Sequence, residues 1–147
     1  MIQTKLKGMG VALITPFKED ESVDYDALIR MVDYLLQNNA DFLCVLGTTA
    51  ETPTLTEEEK KTIKKMVIDR VNGRIPILLG VGGNNTRAIV ETLKNDDFTG
   101  VDAILSVVPY YNKPSQEDVS SCISSRISFL AIFARFPCNL QLNTVII

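Results

Sequence analysis

The apolar run Leu43-Cys44-Val45-Leu46 stops in Gly47-Thr48-Thr49-Ala50-Glu51, a glycine, two hydroxyls and a carboxylate. Hydroxyls and main-chain N–H groups at the end of a buried strand can hold a carboxylate, or relay a proton between a substrate and a stronger base. Threonine also caps loops after strands, and for Thr48 and Thr49 that plainer use stays open. A second polar cluster, Pro109-Tyr110-Tyr111-Asn112-Lys113-Pro114, follows another apolar run. The phenols of Tyr110 and Tyr111 can donate to an oxyanion or pass a proton on; adjacent tyrosines in a proline-rich loop also serve as packing residues. Glu51 reads as a carboxylate anchoring its own loop, and Cys44, inside the strand, as an inert buried thiol. The third stretch, Gly80-Val81-Gly82-Gly83-Asn84-Asn85-Thr86, is a glycine-rich turn of the kind that can cradle a phosphate at a helix start. Its spacing matches neither G-x-x-x-x-G-K-[ST] nor G-x-G-x-x-G, and a tight turn with Thr86 capping the next helix is the plainer account.

These clusters need elements to carry them. Met9 to Phe17, closed by Thr15-Pro16, reads as a first strand. Asp24 is a good N-cap with Val23 placed to staple onto Leu28, and Leu28, Met31, Val32, Leu35 and Leu36 keep helical spacing until Asn38 and Asn39 stop it. Phe42 to Leu46 is the second strand, apolar on both faces as a buried parallel strand is. Thr56 and Glu59 then make a capping box, Ile63, Met66, Val67 and Val71 a buried stripe, and Gly73 a stop. Ile75 to Leu79 begins a third strand. A helix with Ile89, Val90 and Leu93 leads through Gly100 to a fourth strand, Val101 to Val108. Strand-helix steps of roughly thirty residues, with no sign of an antiparallel hairpin, predict α/β architecture with a parallel sheet. In such folds the chemistry sits at the carboxyl ends of the strands. An open doubly wound sheet and part of a (β/α)8 barrel both fit the pattern. Length alone favours the open sheet, since a barrel usually needs about 250 residues.

The chain has 147 residues, 46% of them apolar, enough for the core of one domain. A net charge of -3 argues against nucleic acid or an anionic membrane as partner. The chain contains no histidine, and its three cysteines, Cys44, Cys122 and Cys138, stand far apart. They suit neither a disulfide frame nor a C-x-x-C metal site, so no metal or cofactor is expected, and a reducing cytoplasm is the natural home. Behind Lys5 and Lys7 comes no apolar segment of the secretory kind, and Ile127 to Ala134 is too short to span a bilayer.

Taken in order and spacing, Gly47-Thr48-Thr49-Ala50-Glu51, Gly80-Val81-Gly82-Gly83-Asn84-Asn85-Thr86 and Val108-Pro109-Tyr110-Tyr111-Asn112-Lys113-Pro114-Ser115-Gln116-Glu117 resemble the amino-terminal half of the 4-hydroxy-tetrahydrodipicolinate synthase (dihydrodipicolinate synthase) family. The resemblance runs from about residue 5 to Glu117 and implies the first half of a (β/α)8 TIM-type barrel. It also implies a Schiff-base lyase that condenses pyruvate with aspartate semialdehyde on the route to diaminopimelate and lysine. Gly47 and Thr49 lie where the family holds the pyruvate carboxylate. Thr48 matches the threonine of a proton relay, and Tyr111 the relay tyrosine that one subunit lends to its neighbour, with Tyr110 near that interface. A homo-oligomer, dimer or tetramer, is implied. Two departures stand out. Ala50 replaces the usual glycine, which suits a backbone that is not left-handed there. Ala88 replaces the acidic residue of lysine-regulated members, which puts feedback inhibition in question. A sister pyruvate-dependent aldolase, such as an N-acetylneuraminate or keto-deoxy sugar lyase, is the alternative enzyme. The other is a non-catalytic half-barrel that binds other subunits.

The family's nucleophile is a lysine on a later strand, whose amine forms the Schiff base with pyruvate. Neither that lysine, nor the second relay tyrosine in a Tyr-Asn-Val-Pro type stretch, nor the arginine that receives the aldehyde substrate has a counterpart after Glu117. Lys5, Lys7, Lys60, Lys61, Lys64, Lys65 and Lys94 fall on the leader or on helices, and Lys18 and Lys113 in loops. None promises the apolar enclosure that lowers an amine's pKa. The truncated chain is therefore expected to be inactive alone. From Asp118 onward the composition changes: no glycine, no further acid, and two of the three cysteines. Residues 118–147 read as a divergent tail, translated out of frame or disordered, and reading the encoding DNA in the other two frames tests this. The alternative is a genuine strand or docking segment within Ile127 to Ala134. A half barrel also leaves open sheet edges and exposed apolar surface, with self-association or aggregation as the consequence.

Overall fold

The computed structural model describes residues 6–107 in full, together with the backbone of Ile132–Arg135 and Asn143–Ile146. Tyr110 and Tyr111 lie outside the described residues. Two compact units are distinguished, Met1–Gly80 with Thr99–Asp102, and Val81–Phe98 with Ala103–Ile147.

In the first unit β1 (Gly10–Ala12), β2 (Phe42–Val45) and β3 (Ile77–Gly80) form parallel pairs, with Val11 opposite Leu43 and Leu43 opposite Ile77. Helix α1 (Tyr25–Gln37) joins β1 to β2, and α2 (Glu57–Val71) joins β2 to β3. The strands are shorter than their apolar runs. In β1 the regular ladder ends at Ala12, although the Leu13 N–H still donates to the Cys44 carbonyl at 2.9 Å. The other expected edges of these elements hold. Asp24 accepts from the Ala27 N–H at 2.8 Å while Val23 and Leu28 are buried. Asn38 closes α1 and Asn39 turns left-handed after it. Thr56 and Glu59 form the complete capping box, and left-handed Asn72 and Gly73 end α2. The core is built from Leu28 and Val32 of α1, Ile63, Val67 and Val71 of α2, and Leu43, Val45, Ile77 and Leu79 of the strands. Cys44 and Leu78, which alternate with these strand residues, are buried too, whereas Ile14 is 52% exposed and Met9 and Phe17 are exposed as well.

An ion pair fastens the two helices: the Arg70 guanidinium grips the Asp33 carboxylate through Nε and Nη2, both at 2.5 Å. The Arg70 hydrogen bond, reinforced by its charge, holds the Asp33 carboxyl below the usual aspartate value of 3.8. A carboxyl depressed on folding stabilises the native state above its unfolded pKa, and that contribution is lost as pH falls through the lower, folded value. Asp33→Asn is therefore expected to lower the thermal midpoint slightly at pH 7, because the pair is solvent-exposed and weak. The difference from the parent chain should vanish as pH drops well below 3.8. Melting curves of both proteins between neutral and strongly acid pH measure it, and a gap that persisted in acid would rule out the ion pair as its source.

The second unit contains α3 (Thr86–Asn95), β4 (Ala103–Val107), β5 (Ile132–Arg135) and β6 (Asn143–Ile146). The N-cap of α3 is Asn85 and not Thr86: the Asn85 Oδ1 accepts from the Ala88 N–H at 3.2 Å and Thr86 is already helical. Asparagine outranks threonine as a cap, and the turn reaches its helical geometry one residue earlier than the hydroxyl pattern suggested. β6 runs antiparallel to both β4 and β5. An antiparallel hairpin is thus present where the sequence showed no sign of one, because apolar β-branched segments without glycine or Asn-Gly turns carry little hairpin signal. β5 overlaps the end of the Ile127 to Ala134 segment.

Candidate functional site

β2 brings its polar end out through a sharply shaped turn. After Val45 the chain reverses at Leu46, whose φ is 54°, and Gly47 is extended. Thr48–Ala50 then form one turn of 3-10 helix, closed by hydrogen bonds from the Ala50 N–H to the Gly47 carbonyl, 3.0 Å, and from the Glu51 N–H to the Thr48 carbonyl, 3.1 Å. Glu51 is again left-handed at φ 54°, and a second 3-10 turn, Thr52–Thr54, follows it. A β-branched or long side chain finds the left-handed region costly, by about 1 kcal/mol or more, so two such residues flanking one short turn need outside support.

The support comes from two neighbouring segments. Thr15, only 5% exposed beyond the end of β1, donates its hydroxyl to the Ala50 carbonyl at 2.8 Å. Gly80, the last residue of β3, lies against the turn so closely that a Cβ there would meet the Leu46 carbonyl oxygen at 2.0 Å. Among the described residues the exposed Glu51 carboxylate has no partner that would anchor the loop; its main-chain carbonyl instead accepts from the Thr54 N–H and hydroxyl, at 2.9 and 2.8 Å. Thr15 was not singled out from sequence. Its signal was a hydroxyl in an apolar strand just before Pro16, where burial demands an acceptor.

Thr48 and Thr49 are exposed, while Gly47 and Ala50 are buried. Among the described residues neither threonine hydroxyl has a hydrogen-bond partner, and Gly47 as N-cap supplies no side-chain bond. The N–H groups of Thr48 and Thr49 open the 3-10 turn, so no acceptor inside the turn reaches them. Hydroxyl and amide donors therefore sit together on one corner, a suitable arrangement for a small carboxylate. Ala50 is not among the residues with positive φ, so the replacement of glycine there is free of backbone strain. Cys44 is buried behind the turn and burial pushes its thiol up to about 11, as an inert thiol requires.

None of the described lysines is buried. Lys7, Lys18, Lys61, Lys65 and Lys94 are exposed, and Lys60 and Lys64 are partly covered on the surface of α2. Lys60 pairs with Glu57 at 2.8 Å and Lys61 with Glu58 at 3.5 Å. Among the described residues no helix is long and apolar enough to cross a membrane.

The profile of the Dihydrodipicolinate synthetase family matches residues 5–128, continuing past Glu117. The 4-hydroxy-tetrahydrodipicolinate synthase of Phocaeicola vulgatus is 80% identical over 119 residues, covering 81% of this chain and 40% of that protein. The enzyme of the same name from Parabacteroides distasonis is 73% identical over 119 residues, with the same coverage. Among solved structures, the chloride-inhibited dihydrodipicolinate synthase from Acinetobacter baumannii complexed with pyruvate superposes with a TM-score of 0.77 at 36% identity, covering 84% of this chain and 44% of that one. The chain thus spans about 40% of the length of the curated relatives it matches. Its parallel β/α units are those of part of a TIM-type barrel, which overturns the open sheet that length alone favoured. With a family profile over residues 5–128 and a relative 80% identical over 81% of its length, the chain belongs to the dihydrodipicolinate synthetase family.

Proposed function

We propose that this chain is the amino-terminal part of a 4-hydroxy-tetrahydrodipicolinate synthase, a lyase that joins pyruvate to aspartate semialdehyde in lysine and diaminopimelate biosynthesis. The observation that carries this reading is the exposed Thr48-Thr49 pair, free of partners among the described residues and mounted on a turn held from two neighbouring segments. In this reading Gly47 and Thr49 hold the pyruvate carboxylate and Thr48 relays a proton with Tyr111, which a second subunit of a homo-oligomer contributes. Tyr110 borders that subunit contact. The electron sink is a Schiff base between pyruvate and a lysine amine, and the exposed or surface-paired positions of the described lysines support its belonging to a stretch outside this sequence. Alone, the chain binds without turning over, and residues 129–147, past the end of the family match, are a divergent tail.

Incubation with pyruvate followed by borohydride reduction tests this, because reduction makes any Schiff base permanent. The intact mass of the chain should stay unchanged while an intact homologue treated in parallel gains the reduced adduct. An adduct mapped to a lysine of this chain would instead show that it holds its own nucleophile. A version extended to the length of its relatives should turn over aspartate semialdehyde in preference to sugar acids. The reverse preference would assign it to the sister aldolases.

A further inference from the structure

We propose that Thr15 is a positioning residue for the carboxylate-binding turn: its buried hydroxyl sets the orientation in which Thr48 and Thr49 meet the substrate. The proposal rests on the functional reading given above for those two threonines. It stands on three observations within one unit of the structure. First, the Thr48–Ala50 turn is bracketed by Leu46 and Glu51, both at φ 54°, so it does not hold its shape by local preference. Second, the hydrogen bonds inside the turn number only the two that close it, from Ala50 and Glu51, and a single 3-10 turn is weak on its own. Third, among the described residues the side-chain hydrogen bond that reaches the turn from a distant segment is that of Thr15 to the Ala50 carbonyl, across 35 positions in sequence and inside the core. Ala50 is itself buried, so without that donor its carbonyl faces an apolar environment and the turn gains by rotating it toward water. Such a rotation swings the peptide planes of Thr48 and Thr49 with it.

Thr15 touches no reacting atom in this account. It acts through Ala50, and the consequence is a division of labour between a hydroxyl that is seen by the substrate and one that is not. Thr15→Val keeps the side-chain volume and removes only the donor; Thr15→Ser keeps the donor and removes a methyl group.

The full chain, labelled for amide NMR, supplies two readouts. In Thr15→Val, hydrogen exchange at the Ala50 and Glu51 amides should accelerate by roughly three- to tenfold, the range of one hydrogen bond. The Leu43 and Val45 amides of β2 should keep their protection, and Thr15→Ser should restore the turn. Pyruvate titrated into the parent chain should shift the Thr48 and Thr49 amide signals, and Thr15→Val should weaken that response by a similar factor, again with rescue by serine. Unchanged exchange and unchanged pyruvate response in Thr15→Val would overturn the proposal. So would equal loss of protection at Leu43 and Val45, which would mark Thr15 as a residue of general stability. If pyruvate leaves the parent's Thr48 and Thr49 signals unmoved, the functional reading of the turn fails, and the assignment of Thr15 to substrate positioning fails with it. The exchange data then separate the two failures by showing whether the turn was held by Thr15 at all.

Discussion

Gly80→Ala is expected to destabilise the chain by about 3 kcal/mol or more, a larger loss than most single substitutions produce. The added Cβ would lie 2.0 Å from the Leu46 carbonyl oxygen, 2.6 Å from the Leu46 carbonyl carbon and 2.9 Å from the Gly47 nitrogen. All three are main-chain atoms, so no side-chain rotation relieves the overlap; β3 must separate from β2, or the turn must move. Either response carries a functional signature. If β3 retreats, cooperative unfolding in urea shifts to lower denaturant. If the turn yields, the chain stays folded but the Thr48 and Thr49 signals move and, under the proposed function, their response to pyruvate weakens. A variant with parental stability and parental signals would mean that Gly80 does not press on the turn. The glycine-rich stretch that first suggested a phosphate cradle therefore has a packing reason at its leading residue.

Leu43→Ala should cost about 2 to 5 kcal/mol, the range for emptying a fully packed leucine site. Leu43 is 0% exposed and lies in the middle strand of the parallel trio, opposite Val11 on one side and Ile77 on the other. Backbone pairing on both flanks prevents the neighbours from collapsing into the space, which places the expected loss toward the upper part of that range. Ile14→Ala provides the contrast. That side chain is 52% exposed, and its loss should change stability by no more than about 0.5 kcal/mol. Equilibrium unfolding of the two variants decides the matter; equal effects would contradict a core centred on β2. Since small domains are held by about 5 to 15 kcal/mol, the Leu43 change alone removes a large share of what keeps the turn in place.

Both predictions depend on contacts between distant segments, and these are what the sequence did not disclose. Thr15 and Ala50 are 35 positions apart, and Gly80 meets Leu46 across the whole of α2. No local pattern announces such a pair. Glu51 illustrates the difficulty from the other side: a carboxylate beside two threonines looks like an anchor, yet its left-handed backbone makes the useful contacts and its side chain faces solvent. Asn85 displaced Thr86 as a helix cap because two good capping residues stand side by side, and only the path of the chain out of its strand selects between them.

What the sequence by itself determined is local in origin. The spacing of Leu28 and Val32, of Ile63, Val67 and Val71, and the capping residues Asp24 and Thr56 define their helices, since periodicity and end chemistry act within a few residues. The apolar run from Leu43 ending in Gly47-Thr48-Thr49 was enough to locate the end of β2 and the polar turn after it, because a buried strand must end where polar groups begin. The tertiary structure decided the shape of that site: which carbonyl Thr15 would satisfy, why residue 80 is glycine, and why Leu46 and Glu51 carry positive φ. Those outcomes follow from packing at close range between segments far apart in the chain, where a displacement of one atom decides between a bond and a clash.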